Sequence, residues 1–326
     1  MSMETPPGTL TLRAERVACI APGVVSVLLR DPRGAALPPA EPGAHIDLHL
    51  PDGGVRSYSL CGDPADRHAY TIAVLAVPGG RGSGFVHGAL RPGTVVTVSG
   101  PRNSFRFDPS PRYLFVAGGI GITPLLPMAR EAARRGADWT LHHCVRSAAG
   151  APLRDELAAI GGGRVVVHAA DAGDRLAVDA LLASPVPDTL VYCCGPQRLM
   201  DAVATAAVAA AWPAGSVRFE WFTPPAGDVA DAGDAAADGA FEVVCARTGV
   251  SVTVPEGTSV LEALDAAGVR VDSSCEQGIC GTCETAVLEG EPDHRDSVLS
   301  DAERAAGRTM MICVSRARSA RLVLDV

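Results

Sequence analysis

The chain has 326 residues, with 28 basic side chains, all arginine, against 37 acidic ones, a formal charge of −9, and ten cysteines. That length sets a prior of two or three domains, and with no basic stripe to neutralise phosphates, nucleic-acid binding is not expected. The chain contains no apolar run of 18 residues, and Met1–Pro7 is not a charged-then-apolar leader; neither a membrane span nor a secretory signal is expected, and the chain reads as cytoplasmic.

Residues 8–108 are short β-branched runs broken by Pro and Gly clusters, with almost no helical periodicity, the pattern of a small antiparallel barrel. Within them stand Arg56-Ser57-Tyr58-Ser59 and the glycine loop Gly80-Arg81-Gly82-Ser83-Gly84. Taken alone, Tyr58 reads as a core residue and Arg56 as a surface charge. Strands and helices then alternate. Strands are predicted at 113–117, 139–145, 165–168, 190–194 and 217–221, and helices at 125–135, 175–183 and 197–211. This alternation argues a parallel, doubly wound α/β sheet.

After the first of these strands, Gly118-Gly119-Ile120-Gly121-Ile122-Thr123-Pro124 turns into a helix, the position at which a dinucleotide pyrophosphate meets a helix N-terminus. Thr123 is expected to cap and Pro124 to take the first helical position. Such a turn also occurs for structural reasons alone, and Pro124 stands where the dehydrogenase fingerprint has its third glycine. Arg146 after the second strand could accept a 2′-phosphate, whereas Asp171 and Asp174 after the third disfavour one.

Residues 223–240, rich in Ala, Gly, Pro and Asp, cannot bury enough surface to fold alone and read as a linker. Residues 241–326 carry 8 arginines against 14 acids, a balance that suits a partner with a positive docking face. In them Cys275, Cys280, Cys283 and Cys313 follow the C-x4-C-x2-C and distant-C spacing of a plant-type [2Fe–2S] cluster. Gly278 and Gly281 would let the loop curl and aim N–H groups at the sulfurs. A zinc site usually shows two C-x2-C type pairs, and disulfides need an oxidising compartment. The other six cysteines are expected to be buried thiols.

The R-x-Y-S run at Arg56–Ser59, with the loop at Gly82, Ser83 and Gly84, resembles the flavin motif of the ferredoxin–NADP reductase superfamily. The order of flavin barrel, nicotinamide domain and C-terminal ferredoxin, with Cys193-Cys194-Gly195-Pro196, resembles the phthalate dioxygenase reductase and vanillate demethylase reductase family along essentially the whole chain. The resemblance implies an FMN-binding barrel over 1–108, an NAD-binding α/β domain over 109–222 and a β-grasp [2Fe–2S] ferredoxin domain over 241–326. It places Arg56, Ser57, Tyr58, Ser59, Gly82, Ser83 and Gly84 at FMN. Gly119, Gly121, Thr123, Arg146, Asp171, Cys194, Gly195 and Pro196 fall at NADH, and Phe219 and Glu220 near the flavin. Ser59, Cys194 and Phe219 would attend hydride transfer, which needs no side chain as general acid or base, so the eight histidines read as structural. The implied activity is a monomeric NADH-dependent reductase that passes single electrons to a terminal oxygenase, a Rieske-type non-haem iron enzyme or a cytochrome P450. The alternative is a redox-sensing module without a dedicated oxygenase.

Overall fold

The computed structural model describes residues 9–223, 239–273 and 275–326. Most of the expected linker and residues 1–8 lie outside them. The chain divides into two compact units, residues 1–220 and 221–326.

The first unit begins with β1 (Thr9–Ala21), β2 (Val24–Arg30), β3 (His45–His49), β4 (Val55–Ser59), β5 (Tyr70–Leu75) and β6 (Val95–Arg102). They form an antiparallel sheet in the order β4-β3-β6-β1-β2-β5. A single bridge, Leu60 to Ile72, ties the two edges, so the sheet closes on itself. Alternation along the strands sends Leu12, Val27, Ile46, Leu48, Ile72 and Val98 into one core. Helix α1 (Arg81–Gly88) was not expected. Three glycines in eight residues disfavour a helix by intrinsic propensity, and burial of Val86 against the barrel overrides it.

Next come β7 (Arg112–Gly118), α2 (Ile122–Arg134), β8 (Asp138–Val145), α3 (Arg154–Ala158), β9 (Arg164–Ala169), α4 (Val178–Leu182), β10 (Thr189–Cys194), α5 (Gln197–Ala209) and β11 (Val217–Glu220). The five strands are all parallel in the order β11-β10-β7-β8-β9. The strand order reverses between β7 and β10, the switch point at which doubly wound sheets bind ligands. Helix α2 starts three residues earlier than expected, with Gly121 as its N-cap, so Pro124 falls at its third position. Helix α4 is shorter than expected because 174–177 stay irregular, and α3 is additional.

Phe115 is fully buried, with ring centroids 5.8 Å from Tyr113, 6.0 Å from Tyr192 and 6.4 Å from Trp139. The Tyr192 hydroxyl donates to Arg106 O at 3.1 Å and accepts from Asp108 N–H at 2.9 Å, stitching the sheet to the segment leaving the barrel. Arg218 pairs with Asp108 at 2.7 Å, Arg130 donates to Cys61 O at 3.1 Å, and Arg134 meets Asp63. Barrel and sheet therefore share one seam.

The second unit contains β12 (Phe241–Cys245), β13 (Ser251–Val254), α6 (Val260–Ala266), β14 (Glu284–Glu289), β15 (Pro292–Asp293), α7 (Asp301–Ala306), β16 (Thr309–Met311), β17 (Arg316–Ala317) and β18 (Arg321–Leu324). Its sheet runs β13-β12-β18-β14-β16, with β12 and β18 parallel. A capping box between Ser259 and Glu262 starts α6, which lays Val260, Leu261 and Leu264 on the core.

Phe115→Ala empties the aromatic centre of the first unit, and we expect a loss of about 3–5 kcal/mol. Denaturant unfolding followed by tryptophan fluorescence checks this; a loss below about 1 kcal/mol would show that the seam, rather than this core, sets stability.

Candidate functional site

On β4, Arg56 and Tyr58 share one side and Ser57 and Ser59 the other. The first turn of α1 packs on the Arg56–Tyr58 side so closely that a Cβ on Gly82 would lie 2.6 Å from Tyr58 Oη and 2.7 Å from Arg56 Cγ. The turn's leading N–H groups have no helical acceptors, and an anion is the kind of group such a turn can accept beside Arg56. Burial pushes the Tyr58 phenol up to about 12, so it stays neutral. Ser83 is used differently from the sequence expectation: its hydroxyl accepts from Val77 N–H at 3.1 Å and contacts Val77 O and Gly80 O at 3.3 Å, locking the turn. The Gly84 N–H is already bonded to Gly80 O at 2.8 Å. Ser57 donates to the buried Asp47 at 2.7 Å, and Arg102 holds the other oxygen of that carboxylate at 2.5 Å.

At the switch point, the turn after β7 touches the turn after β10. A Cβ on Gly121 would collide with Cys194 O, and one on Gly195 would lie 2.8 Å from Gly118 Cα. Gly118 also faces Pro196. Gly119, at φ +53°, faces open space, and its carbonyl is held by His143 at 2.9 Å. Thr123 does not cap α2: it lies inside the helix, 2 % exposed, and its hydroxyl donates to Ile120 O at 3.0 Å. Arg146 and Asp171 come together at the ends of β8 and β9, where Asp171 N–H donates to Arg146 O at 2.9 Å.

Across the seam, Ser59 Oγ donates to Glu220 Oε2 at 3.3 Å, and Glu220 is the register partner of Cys194. Glu220 as a residue is half-buried, yet its carboxyl is the desolvated part: burial raises it to about 8 against the opposing Ser59 hydrogen bond. Burial likewise holds the Cys194 thiol far above its ordinary value, with the nearby Glu220 adding to the rise. Phe219 is the register partner of Cys193, so its side chain leaves β11 on the side opposite Glu220. Phe222, two residues past Glu220, is 41 % exposed.

In the second unit the four expected ligands form two thiol pairs. Cys275 hydrogen-bonds Cys280, and Cys313 hydrogen-bonds Cys283; the first bond holds the Cys280 thiol low and the second does the same for Cys283. Backbone N–H groups of Gln277 and Ile279 point at Cys275, and that of Gly278 at Cys313. Among the described residues no group of three or more His, Cys, Asp or Glu is arranged to hold a metal ion. A two-and-two arrangement of thiols under N–H donors instead suits a two-iron core with one pair per iron.

Of the remaining cysteines, Cys19 is exposed on β1, against the buried-thiol expectation, and Cys144 is half-buried. A groove of about 470 Å³ among Asp63, Arg130, Arg134, Asp155 and Glu156 contains none of the site residues.

Comparison with known proteins gives a consistent picture. Residues 243–318 match the 2Fe-2S iron-sulfur cluster binding domain family. The chain is 47 % identical to phenoxybenzoate dioxygenase subunit beta of Ectopseudomonas oleovorans over 95 % of its own length and 96 % of the relative's. Among solved structures it resembles phthalate dioxygenase reductase, described as a modular structure for electron transfer from pyridine nucleotides to [2Fe–2S], with 40 % identity, a TM-score of 0.68 and 98 % of both chains covered. It also resembles an intact type IV self-sufficient cytochrome P450 monooxygenase, with 40 % identity and a TM-score of 0.89, covering 98 % of this chain but 41 % of that one.

Glu220 generates a pH prediction. Its folded value of about 8 lies above the ordinary 4.5, so its contribution to stability is fully present below the ordinary value and is lost as pH rises through the folded one. The midpoint of thermal unfolding should fall between these limits in the native protein, and Glu220→Gln should flatten that slope. Equal slopes in the two proteins would refute the assignment.

Proposed function

The chain belongs to the family of iron–sulfur oxygenase reductases that includes phthalate dioxygenase reductase, and we propose how its own residues carry that activity. It is an NADH-linked oxidoreductase with a flavin and a [2Fe–2S] centre. Bound flavin accepts a hydride and gives up electrons singly, and the cluster takes them one at a time. The observation that carries our reading of the residues is the seam at Ser59, Glu220 and Cys194, where the flavin motif of the barrel meets the glycine turn of the sheet.

Arg56 and the leading N–H groups of α1 hold the phosphate of FMN, with Gly82 admitting the chain closely, Ser83 fixing the turn and Tyr58 covering the cofactor. Ser59, oriented by Glu220, meets the redox edge of the flavin. Gly119, Gly121 and the start of α2 hold the nucleotide pyrophosphate, and Thr123 fixes that turn through Ile120. Gly195 and Pro196 place the nicotinamide over Cys194, which remains a neutral thiol. Arg146 and Asp171 face the adenosine ribose, and the acidic side of that rim favours NADH over NADPH. Cys275, Cys280, Cys283 and Cys313 hold the cluster. The working division is an FMN barrel over 1–108, an NAD domain over 109–222 and a ferredoxin over 241–326, joined through the acidic segment 223–240.

The partner is a terminal oxygenase. Both a dioxygenase component and the reductase part of a cytochrome P450 fusion match this chain over nearly its whole length, so the partner is read as a terminal oxygenase of either kind. We place the protein in the cytoplasm as a monomer. No helix among the described residues is long and apolar enough to cross a membrane.

The purified protein should contain FMN and [2Fe–2S] in equal amounts and reduce cytochrome c with NADH. Cys280→Ser should remove the cluster and the cytochrome activity while flavin reduction by NADH persists. Finding FAD, or zinc without iron, would overturn this assignment.

The acidic balance of residues 241–326 should steer docking to a basic partner surface, so partner reduction should slow as salt rises while the NADH-to-flavin step does not. A partner rate indifferent to salt would remove the steering role.

A further inference from the structure

Beside Asp174 lie two imidazoles, of His142 and His168, that have no part in the chemistry described above. Strand β8 buries Trp139 and Leu141 against α2, so alternation sends His142 and Cys144 to the opposite face, where Cys144 is the register partner of His168 on β9. The two imidazoles stack with centroids 5.3 Å apart and planes 11° apart. His142 Nδ1 lies 2.9 Å from His168 Nε2, and His168 Nδ1 lies 3.0 Å from Asp174 Oδ1.

With Asp174 ionised and both rings neutral, one proton arrangement satisfies both contacts. His168 donates its Nδ1–H to Asp174, and His142 donates its Nδ1–H to His168 Nε2. A proton taken up by the outer nitrogen of His142 lets His142 pass its Nδ1 proton inward. The result is an imidazolium at His168, between Asp174 and a neutral His142, with the net charge raised by one. Burial, and next the charge of His168, hold His142 below its ordinary value, with Arg164 adding to the effect. The other charged or titratable groups around the pair are Cys144, which feels Asp174, and Arg146 and Asp171 at the rim.

We propose that Asp174, His168 and His142 form a proton-gated selector for the 2′ substituent of the nicotinamide nucleotide. Without the extra proton, Asp174 adds to Asp171 and repels a 2′-phosphate. With it, Asp174 is answered by His168 and the discrimination against NADPH narrows. The selector rests on the reading that the nucleotide lies across the ends of β8 and β9.

The test is calorimetric titration of the flavin-loaded, cluster-loaded full chain with NAD⁺ and with NADP⁺ from pH 5.5 to 8.5. The 2′-phosphate itself titrates near pH 6, equally for every protein form, so the informative quantity is the difference between forms. In the native protein the ratio of dissociation constants, NADP⁺ over NAD⁺, should fall on acidification by on the order of fivefold more than in His168→Gln, the effect of one partly screened charge at the rim. NADP⁺ binding should take up more protons than in that variant. His142→Gln should show an intermediate response, and Asp174→Asn a low ratio at every pH. A native ratio that tracks those of His168→Gln and His142→Gln overturns the selector and leaves nucleotide binding at this rim intact. Asp171→Arg should lower the ratio of dissociation constants, NADP⁺ over NAD⁺, at every pH, and an unchanged ratio there overturns the rim reading and the selector together.

Discussion

The close approach of two backbone turns governs the geometry of the first unit. Gly118 and Gly121 lie against Cys194 and Gly195 with no space for a Cβ between them, so the ends of β7 and β10 are held at van der Waals distance where the strand order reverses. That contact sets the height of Glu220, because β11 is registered on β10 residue by residue. Glu220 in turn receives the Ser59 hydroxyl from the barrel. A side chain inserted at Gly121 would therefore displace the turn after β7 and also the end of β11 that meets Ser59.

The second unit solves a different problem. The four thiols gathered in one place are held as two hydrogen-bonded pairs under backbone donors. Gly278, at φ +71°, fits against Val314 and Asp296 where a Cβ would meet Val314 Cγ2 at 2.6 Å. The loop that carries three cysteines is thus pressed onto the segment that carries the fourth, and Ser297 N–H donates to Gly278 O at 2.9 Å to keep it there. Asp296, fully buried in its side chain, accepts from Val298 and Leu299 N–H and braces the same segment.

The iron–sulfur domain was legible because one cysteine spacing rule ties that stretch of chain to one chemistry. The parallel sheet was legible because its strands are continuous apolar runs between helical patterns. Helix α1 was hidden by its glycines, since its stability comes from contacts with the barrel that no local window contains. Thr123 was assigned to a cap on the assumption that the helix begins after it, and a start at Ile122 changes the role of its hydroxyl. The His142–His168 contact could not have been read at all: it joins residues 26 apart through parallel pairing, and only the fold supplies that register.

The seam described for residues 1–220 has an evolutionary consequence. Tyr192 of the sheet bonds the main chain at Arg106 and Asp108, Arg218 pairs with Asp108, and Arg130 and Arg134 of α2 reach Cys61 and Asp63 of the barrel. Splitting the chain near residue 110 would expose an aromatic core and leave several hydrogen-bonding partners unmatched in both fragments. Recombination that preserves function must then carry 1–220 as a single cassette, exchangeable as a whole for attachment to other redox modules, while neither half can be traded alone.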